Sequence, residues 1–248
     1  MQLPVLRRLI RPDPGMTLLD LDLSAADVQV VAWDSGDELL KAQLRAKEDI
    51  YTETATGLWA DPRLPASRGL RKNCVHSADY GANFKTIGDK YIGNRSVAQQ
   101  WLTSWFKLHP AIRAWQRRVE FDLQTSRTIH NPWGFRRIYT DRLDALLPQA
   151  LAWIGQSTVA ITINKILLRV DQAEQTEGLP CWLLLQDHDN LIMQCPTCQL
   201  DQVVLRLAEL SRVPIPFPDP LIISASLKAS SRSWADVEPL DSAAVLTG

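Results

Sequence analysis

Long apolar runs are missing from this chain, and none approaches the roughly 18 residues that a membrane-spanning helix requires. The N-terminal MQLPVLRRLIRP also lacks the apolar centre of a signal peptide. These two absences point to a cytoplasmic protein with no membrane partner. Cysteine is scarce, with only Cys74, Cys181, Cys195 and Cys198. CPTC, Cys195 to Cys198, is a lone CxxC. No second CxxC and no HxxxH exists to complete a four-ligand zinc site, so reduced, packed thiols are expected. Charge nearly cancels, 27 Lys and Arg against 28 Asp and Glu, for a net −1. Such a balance argues against a general polyanion binder, whose affinity comes from neutralised phosphates. Internal repeats and low-complexity segments are absent too. What is present is 248 residues, 46% hydrophobic and 22% charged, enough to bury a good core in one or two subdomains.

Three segments carry chemistry. In MTLLDLDL (16–23), Leu19, Leu21 and Leu23 share one strand face while Asp20 and Asp22 share the other. An unpaired buried carboxylate is costly, so these acids either hold a metal or sit on an edge strand that meets solvent. In RGLRKNCVHSADYG (68–81), Arg68, Lys72, His76 and Tyr80 are spaced four apart and Gly81 follows. On a helix this is one stripe of two cations and two rings, ending at a glycine. Such a stripe suits a nucleoside triphosphate, with charge for phosphates and rings for a base; an ordinary solvated face is the alternative. In CWLLLQDHDNLIMQC (181–195), two apolar strands flank Asp187-His188-Asp189, a tight turn tipped with acids. A further strip holds Arg113, Arg117, Arg118, Arg127, Arg136 and Arg137, which either grips a duplex or coats solvated helix faces.

The rest reads as helical segments over 26–57 broken near Ser35-Gly36, and a loop over 61–67. A glycine-containing connection runs to Gly93. A helical pair follows over 97–107 and 110–126, with Trp101, Trp105 and Trp115 in the core. A hairpin spans 128–140, turned at Asn131-Pro132 and Gly134. Pro148 opens a long helix to about Gln172, a helix spans 199–212, a closing strand spans 221–226, and the tail after Trp234 is loose.

These segments, in this order, resemble the motifs of family A, DNA polymerase I-like, DNA polymerases, phage-type members included. TLLDLDLSAADVQ resembles motif A, with Asp22 on its metal-binding aspartate. EDIYTETA (48–55) is similar to the family's DIHxxTA, and the Arg68–Gly81 run resembles motif B. GQSTVA (155–160) is similar to QGTAAD, with Gln156 on the glutamine. LLLQDHDNLIMQCP resembles motif C, with Asp189 on its aspartate and His188 on its histidine. LRRLIRPDPG (6–15) is similar to the phage-type lead-in to motif A. The resemblance implies an α+β fold: an antiparallel palm sheet with packed helices and an inserted helical fingers subdomain. The expected division is palm 1–60, fingers 61–126 and palm 127–248, with the thumb and exonuclease domain absent.

The implied activity is template-directed addition of deoxyribonucleotides to a primer 3′ end by two-metal-ion transfer. Asp22, Asp189 and the Leu23 carbonyl would hold two Mg²⁺ or Mn²⁺ ions. Arg68 and Lys72 would hold the triphosphate, with Lys72 also catalytic. His76 and Tyr80 would meet the nascent pair, and Asp27 would close the sugar pocket. Gln156, His188 and Arg136 would contact DNA. The implied partners are primer-template DNA, deoxyribonucleoside triphosphates and a second chain bearing thumb and exonuclease, in the host cytoplasm for a phage protein. His76 departs from the family's Phe or Tyr, Asp27 from its glutamate and Ala25 from its glutamine. Asn190 departs from the acid after the motif C aspartate, and Asp20 and Asp187 are extra acids that would partly compensate. The alternative is a catalytically weak or inactive polymerase-like module that binds nucleic acid or a replication partner.

Overall fold

The computed structural model describes residues 6–52, 57–142 and 146–240. The end of the EDIYTETA segment, from Glu53, and the tail beyond Leu240 lie outside them. Two compact units are defined, and each is taken separately.

The first unit comprises residues up to Ala26, Val159–Ile215 and Ile222 onward. Its core is an antiparallel sheet of β1 (Met16–Leu23), β4 (Trp182–Asp187), β5 (Asn190–Pro196), β6 (Ala225–Ser230) and β7 (Glu238–Pro239), ordered β4-β5-β1-β6-β7. The alternation of β1 is expressed as drawn from the sequence, but β1 is central rather than an edge strand. Leu18, Leu19 and Leu21 are fully buried, so both of its faces are covered. On the face that carries Asp20 and Asp22, Leu18, Ile192 and Trp234 form a small core with Ile10 and Val237 against it. On the other face, Gln186 donates to the Asn164 side chain at 2.9 Å, tying β4 to the long helix α7 (Leu146–Glu177). Leu200–Leu210 forms the last helix, α8. The closing strand begins at Ala225, four residues later than expected, because pairing with β1 starts there, opposite Leu23. β4 is the outer strand, and Trp182, Leu184 and Leu185 on it are 37%, 43% and 40% exposed.

The second unit holds residues 27–158 and 216–221. The described residues from 27 to 60 and from 127 to 158 pack in this unit together with those of 61–126. Its helices are α1 (Ala26–Ser35), α2 (Glu38–Arg45), α3 (Arg68–Asp79), α4 (Phe84–Ile87), α5 (Arg95–Leu108) and α6 (Pro110–Thr125), with the short hairpin β2 (Thr128–His130) and β3 (Arg136–Ile138). The break at Gly36 (φ +71) is real, and Asp37 caps α2 by accepting from the Leu40 amide at 2.9 Å. Beyond Arg45, no helix forms before α3 among the described residues, against the expected helical reading to 57. The connection to Gly93 contains α4 and a wide helical turn over Gly88–Ile92. Trp101, Trp105 and Trp115 are buried, as expected.

α7 is long and apolar enough by composition to cross a membrane, which the sequence reading did not anticipate. Its fully buried residues Ala150, Leu151, Ile163, Ile166 and Val170 recur at helical spacing, the pattern of a core helix with one packed stripe. Three of the cysteines are buried and Cys198 is exposed. Burial pushes the Cys195 thiol up to about 11, away from the reactive range.

Candidate active site

In the sheet unit, strand register brings the two motif aspartates together. Asp22 is the Cα partner of Asn190, and the next amide, that of Leu23, donates to the Asp189 carbonyl at 3.3 Å. Asp189 and His188 form the two-residue turn between β4 and β5, with Asp187 paired to Asn190. His188 has a positive φ of 54°, a conformation that a histidine rarely adopts, and its side chain is exposed. Asp22 and Asp189 are both half-buried, and Leu23 is buried. Carboxylates and a backbone carbonyl are hard oxygen donors, which fit magnesium or manganese. Among the described residues no group of three His, Cys, Asp or Glu could by itself hold a metal ion, so other oxygens would complete any shell.

The extra acids both have partners within the protein. Asp20 is 2% exposed, and its two oxygens accept from the Asn190 amide at 3.1 Å and the Trp234 indole at 2.9 Å. Asp187 forms an ion pair with Arg7 at 3.9 Å, and the Arg7 guanidinium lies 4.2 Å over the Trp234 ring. Of the two, Asp20 is the buried one.

In the helical unit, α3 presents the stripe read from the sequence. Tyr80 caps its C-terminus and Gly81 follows at φ +79. Arg68 donates to Asp49 at 2.6 Å and lies 5.2 Å over the Tyr51 ring. That contact holds the Asp49 carboxyl below its ordinary range, against the opposing effect of desolvation. Lys72, one turn on, is exposed. His76 has Tyr51 Oη 3.4 Å from Nε2 and Asp27 Oδ2 4.0 Å from Nδ1. Burial lowers the His76 pKa; Asp27 pulls it up and Lys72 pushes it down. Tyr80 stands edge-on to His76, with ring centres 6.3 Å apart. A Cβ at Gly155 would fall 2.8 Å from Tyr80 Oη and 3.4 Å from Asp27 Oδ1. Burial, then the charge of Asp27, raises the Tyr80 phenol.

Asp27, His76 and Tyr80 are thus one cluster, and two members escaped the sequence reading. Tyr51 lies in the EDIYTETA segment, and Gly155 precedes Gln156; both stood inside matched motifs and could have been found there. Gln156 and Arg136 are exposed, on α7 and β3. Part of the basic strip is used inside the protein: Arg113 donates to Gln116, Arg118 to the Asp34 carbonyl and Arg127 to the Asp141 carbonyl.

The architecture is that of a polymerase domain. The POL domain of Pol1 from M. smegmatis, solved in complex with DNA primer-template and dNTP, superposes with a TM-score of 0.81 at 21% identity, covering 94% of this chain and 42% of that one. The chain belongs to DNA polymerase family A, whose family model matches residues 2–229. Among curated relatives it is 25% identical to the thermostable DNA polymerase I of Thermus filiformis, over 94% of this chain and 29% of that protein. It is 26% identical to DNA polymerase I of Chloroflexus aurantiacus (95% and 26%). Its identity to the DNA polymerase of Mycobacterium phage D29 is 24% (95% and 37%). The chain therefore spans between about a quarter and two-fifths of the length of these relatives.

Proposed function

We propose that this chain is the palm-and-fingers catalytic part of a DNA-directed DNA polymerase, extending a primer on a template. The observation that supports this most is the register of β1 against β5. It joins the motif A and motif C aspartates at one end of one sheet, and only the fold could bring them together. Asp22 and Asp189 would hold two divalent ions, with the Leu23 carbonyl beside them. When bound, such ions lower the pKa of the primer hydroxyl and hold the triphosphate. Every other role falls to the chain itself. Arg68 and Lys72 supply positive charge to the triphosphate, arginine as a fork and lysine as a point charge. His76 and Tyr80 offer flat faces to the nascent pair. Asp27, packed against both, limits the room around the sugar. Gln156 reads the duplex edge, His188 meets the primer end, and Arg136 grips the DNA backbone.

Most of each relative's length has no counterpart here. We propose that this part works together with a thumb and an exonuclease, carried by a second chain or by a further stretch of the same polypeptide, and that the assembly works in the cytoplasm, that of the host for a phage-encoded protein. One observation favours the inactive-module reading. Asn190 takes the place of an acid, and Asp20 and Asp187 are engaged elsewhere, leaving Asp22 and Asp189 as the carboxylates of the site.

Primer extension with magnesium or manganese separates the two readings. Incorporation by the native chain, alone or with the thumb-bearing part, should be lost in Asp22→Asn and Asp189→Asn. Extension that survives both substitutions sinks the catalytic assignment.

A further inference from the structure

The acid missing at position 190 has a counterpart on the neighbouring strand. Asp22 and Asn190 are cross-strand partners, and Asp20 lies two residues back on the same face of β1. Asn190 donates its amide to Asp20 across the strands at 3.1 Å, and the Trp234 indole donates to the other Asp20 oxygen at 2.9 Å. Both donors are uncharged, and both Asp20 oxygens act only as acceptors, as in a carboxylate. Lys228 is the partner of Asp20 on β6, Asp22 shares the face, and Arg7 lies over the Trp234 ring. An acid at 190 would aim a second negative charge at buried Asp20. An amide there turns the same contact into a bond. The identities of residues 20 and 190 thus explain one another.

We propose that Asp20 is a positioning residue of the cation site: it clamps Asn190, and so fixes the turn that presents Asp189 toward Asp22. The proposal rests on reading Asp22 and Asp189 as cation ligands. Asp20 is not itself read as a ligand: it is 2% exposed and each of its oxygens accepts a hydrogen bond from a protein group. It acts through the hairpin, and it carries within the sheet the negative charge that position 190 has given up. Partners that orient a metal ligand from behind are commonly worth about 10–100-fold in metal affinity. Trp234 completes the clamp from the other end of the chain.

The test is Mn²⁺ binding to the full chain, followed by electron paramagnetic resonance of the free ion, with circular dichroism confirming the fold of each variant. Asp22→Asn and Asp189→Asn report on the ligands themselves. Asp20→Asn should weaken Mn²⁺ at least about tenfold, and Asn190→Ala should do so comparably. Their double variant should lose little more than either alone, because one contact is being removed twice. The decisive readout is the exchange Asp20→Asn with Asn190→Asp, which puts the amide on β1 and the acid on β5. It should recover most of the affinity that Asp20→Asn loses, which a merely structural defect would not do. If the ligand variants lose Mn²⁺ while Asp20→Asn and Asn190→Ala bind like the native chain, the positioning role is overturned and the ligand reading stands. If Asp22→Asn and Asp189→Asn bind like the native chain, the ligand reading itself fails. Should Asp20→Asn not fold, Asn190→Ala, which removes only the partner amide, decides alone.

Discussion

Burial leaves the Asp79 side chain 1% exposed, one residue ahead of Tyr80, and among the described residues its Oδ1 has no hydrogen-bond partner. Desolvation raises its pKa well above that of an ordinary aspartate; the nearby Trp105 indole opposes the rise, and the charges of Asp37 and Asp27 add to it. Between the ordinary value and the raised one, the folded chain keeps a proton that the unfolded chain has released. Stability from this group therefore falls as pH rises through that window. Asp79→Asn cannot titrate, so its melting temperature should decline less between acid and neutral pH than that of the native chain, as thermal unfolding across a pH series would show. His76 has the opposite sign. Its lowered pKa means that the unfolded chain takes up a proton first as pH falls below about 6.5, so its contribution is lost toward acid. Gly155→Ala would press a methyl group onto Tyr80 Oη at 2.8 Å. Overpacking of this kind costs about 1–3 kcal/mol, measurable by denaturant unfolding. Asp27 is one methylene shorter than the glutamate implied by the family resemblance, and one methylene in a pocket is worth about 1–3 kcal/mol. Asp27→Glu should therefore sharpen the preference for deoxyribonucleotides over ribonucleotides, read as the ratio of incorporation efficiencies. An unchanged ratio would remove Asp27 from the sugar pocket. At this scale the motif residues were legible because their types and order are fixed by chemistry. The Asp20–Trp234 bond was not, since it links residues 214 positions apart and leaves no local pattern.

Among the elements, α3 was the most legible, because four chemistry-bearing side chains share one helical stripe and a glycine at positive φ ends it. Its two cations nonetheless differ in the structure. Arg68 also ties down the loop through Asp49 and Tyr51, while Lys72 is exposed. Lys72→Ala should weaken triphosphate binding by roughly 1.5–3 kcal/mol and leave unfolding almost unchanged. Arg68→Ala should weaken triphosphate binding similarly, and also make the loop around Asp49 more susceptible to proteolysis. Equal loss of duplex affinity in both variants would make the stripe a grip on the DNA backbone instead. The closing strand was less legible. Leu221, Ile223, Ala225 and Leu227 are all buried in alternation, so the pattern spans more residues than the ladder does. Where the strand starts is decided by β1, which is a tertiary fact.

For the whole molecule, the near-zero net charge and the partly engaged basic strip bear on DNA affinity. The chain alone should bind primer-template weakly, and with a shallower salt dependence than an assembly that includes a thumb, because each phosphate contact adds about one unit of slope. Fluorescence anisotropy over a salt series measures this; tight, steeply salt-dependent binding by the chain alone would contradict it. The α+β class and the three-motif order were legible across the chain; the compact units follow contacts that only the fold makes. Their boundaries at Ala26 and Val159 cut just behind β1 and through α7, places that no change of composition marks. The outer strand β4 has a further consequence. Its apolar side chains stand beside main-chain groups that no neighbouring strand among the described residues occupies, which makes an adhesive rim. Copies of the chain held at high concentration should meet rim to rim and grow into β-rich particles, faster as the protein is concentrated. A lysine in place of Leu184 would set like charges along that rim, and light scattering should then show the suspension clear for longer.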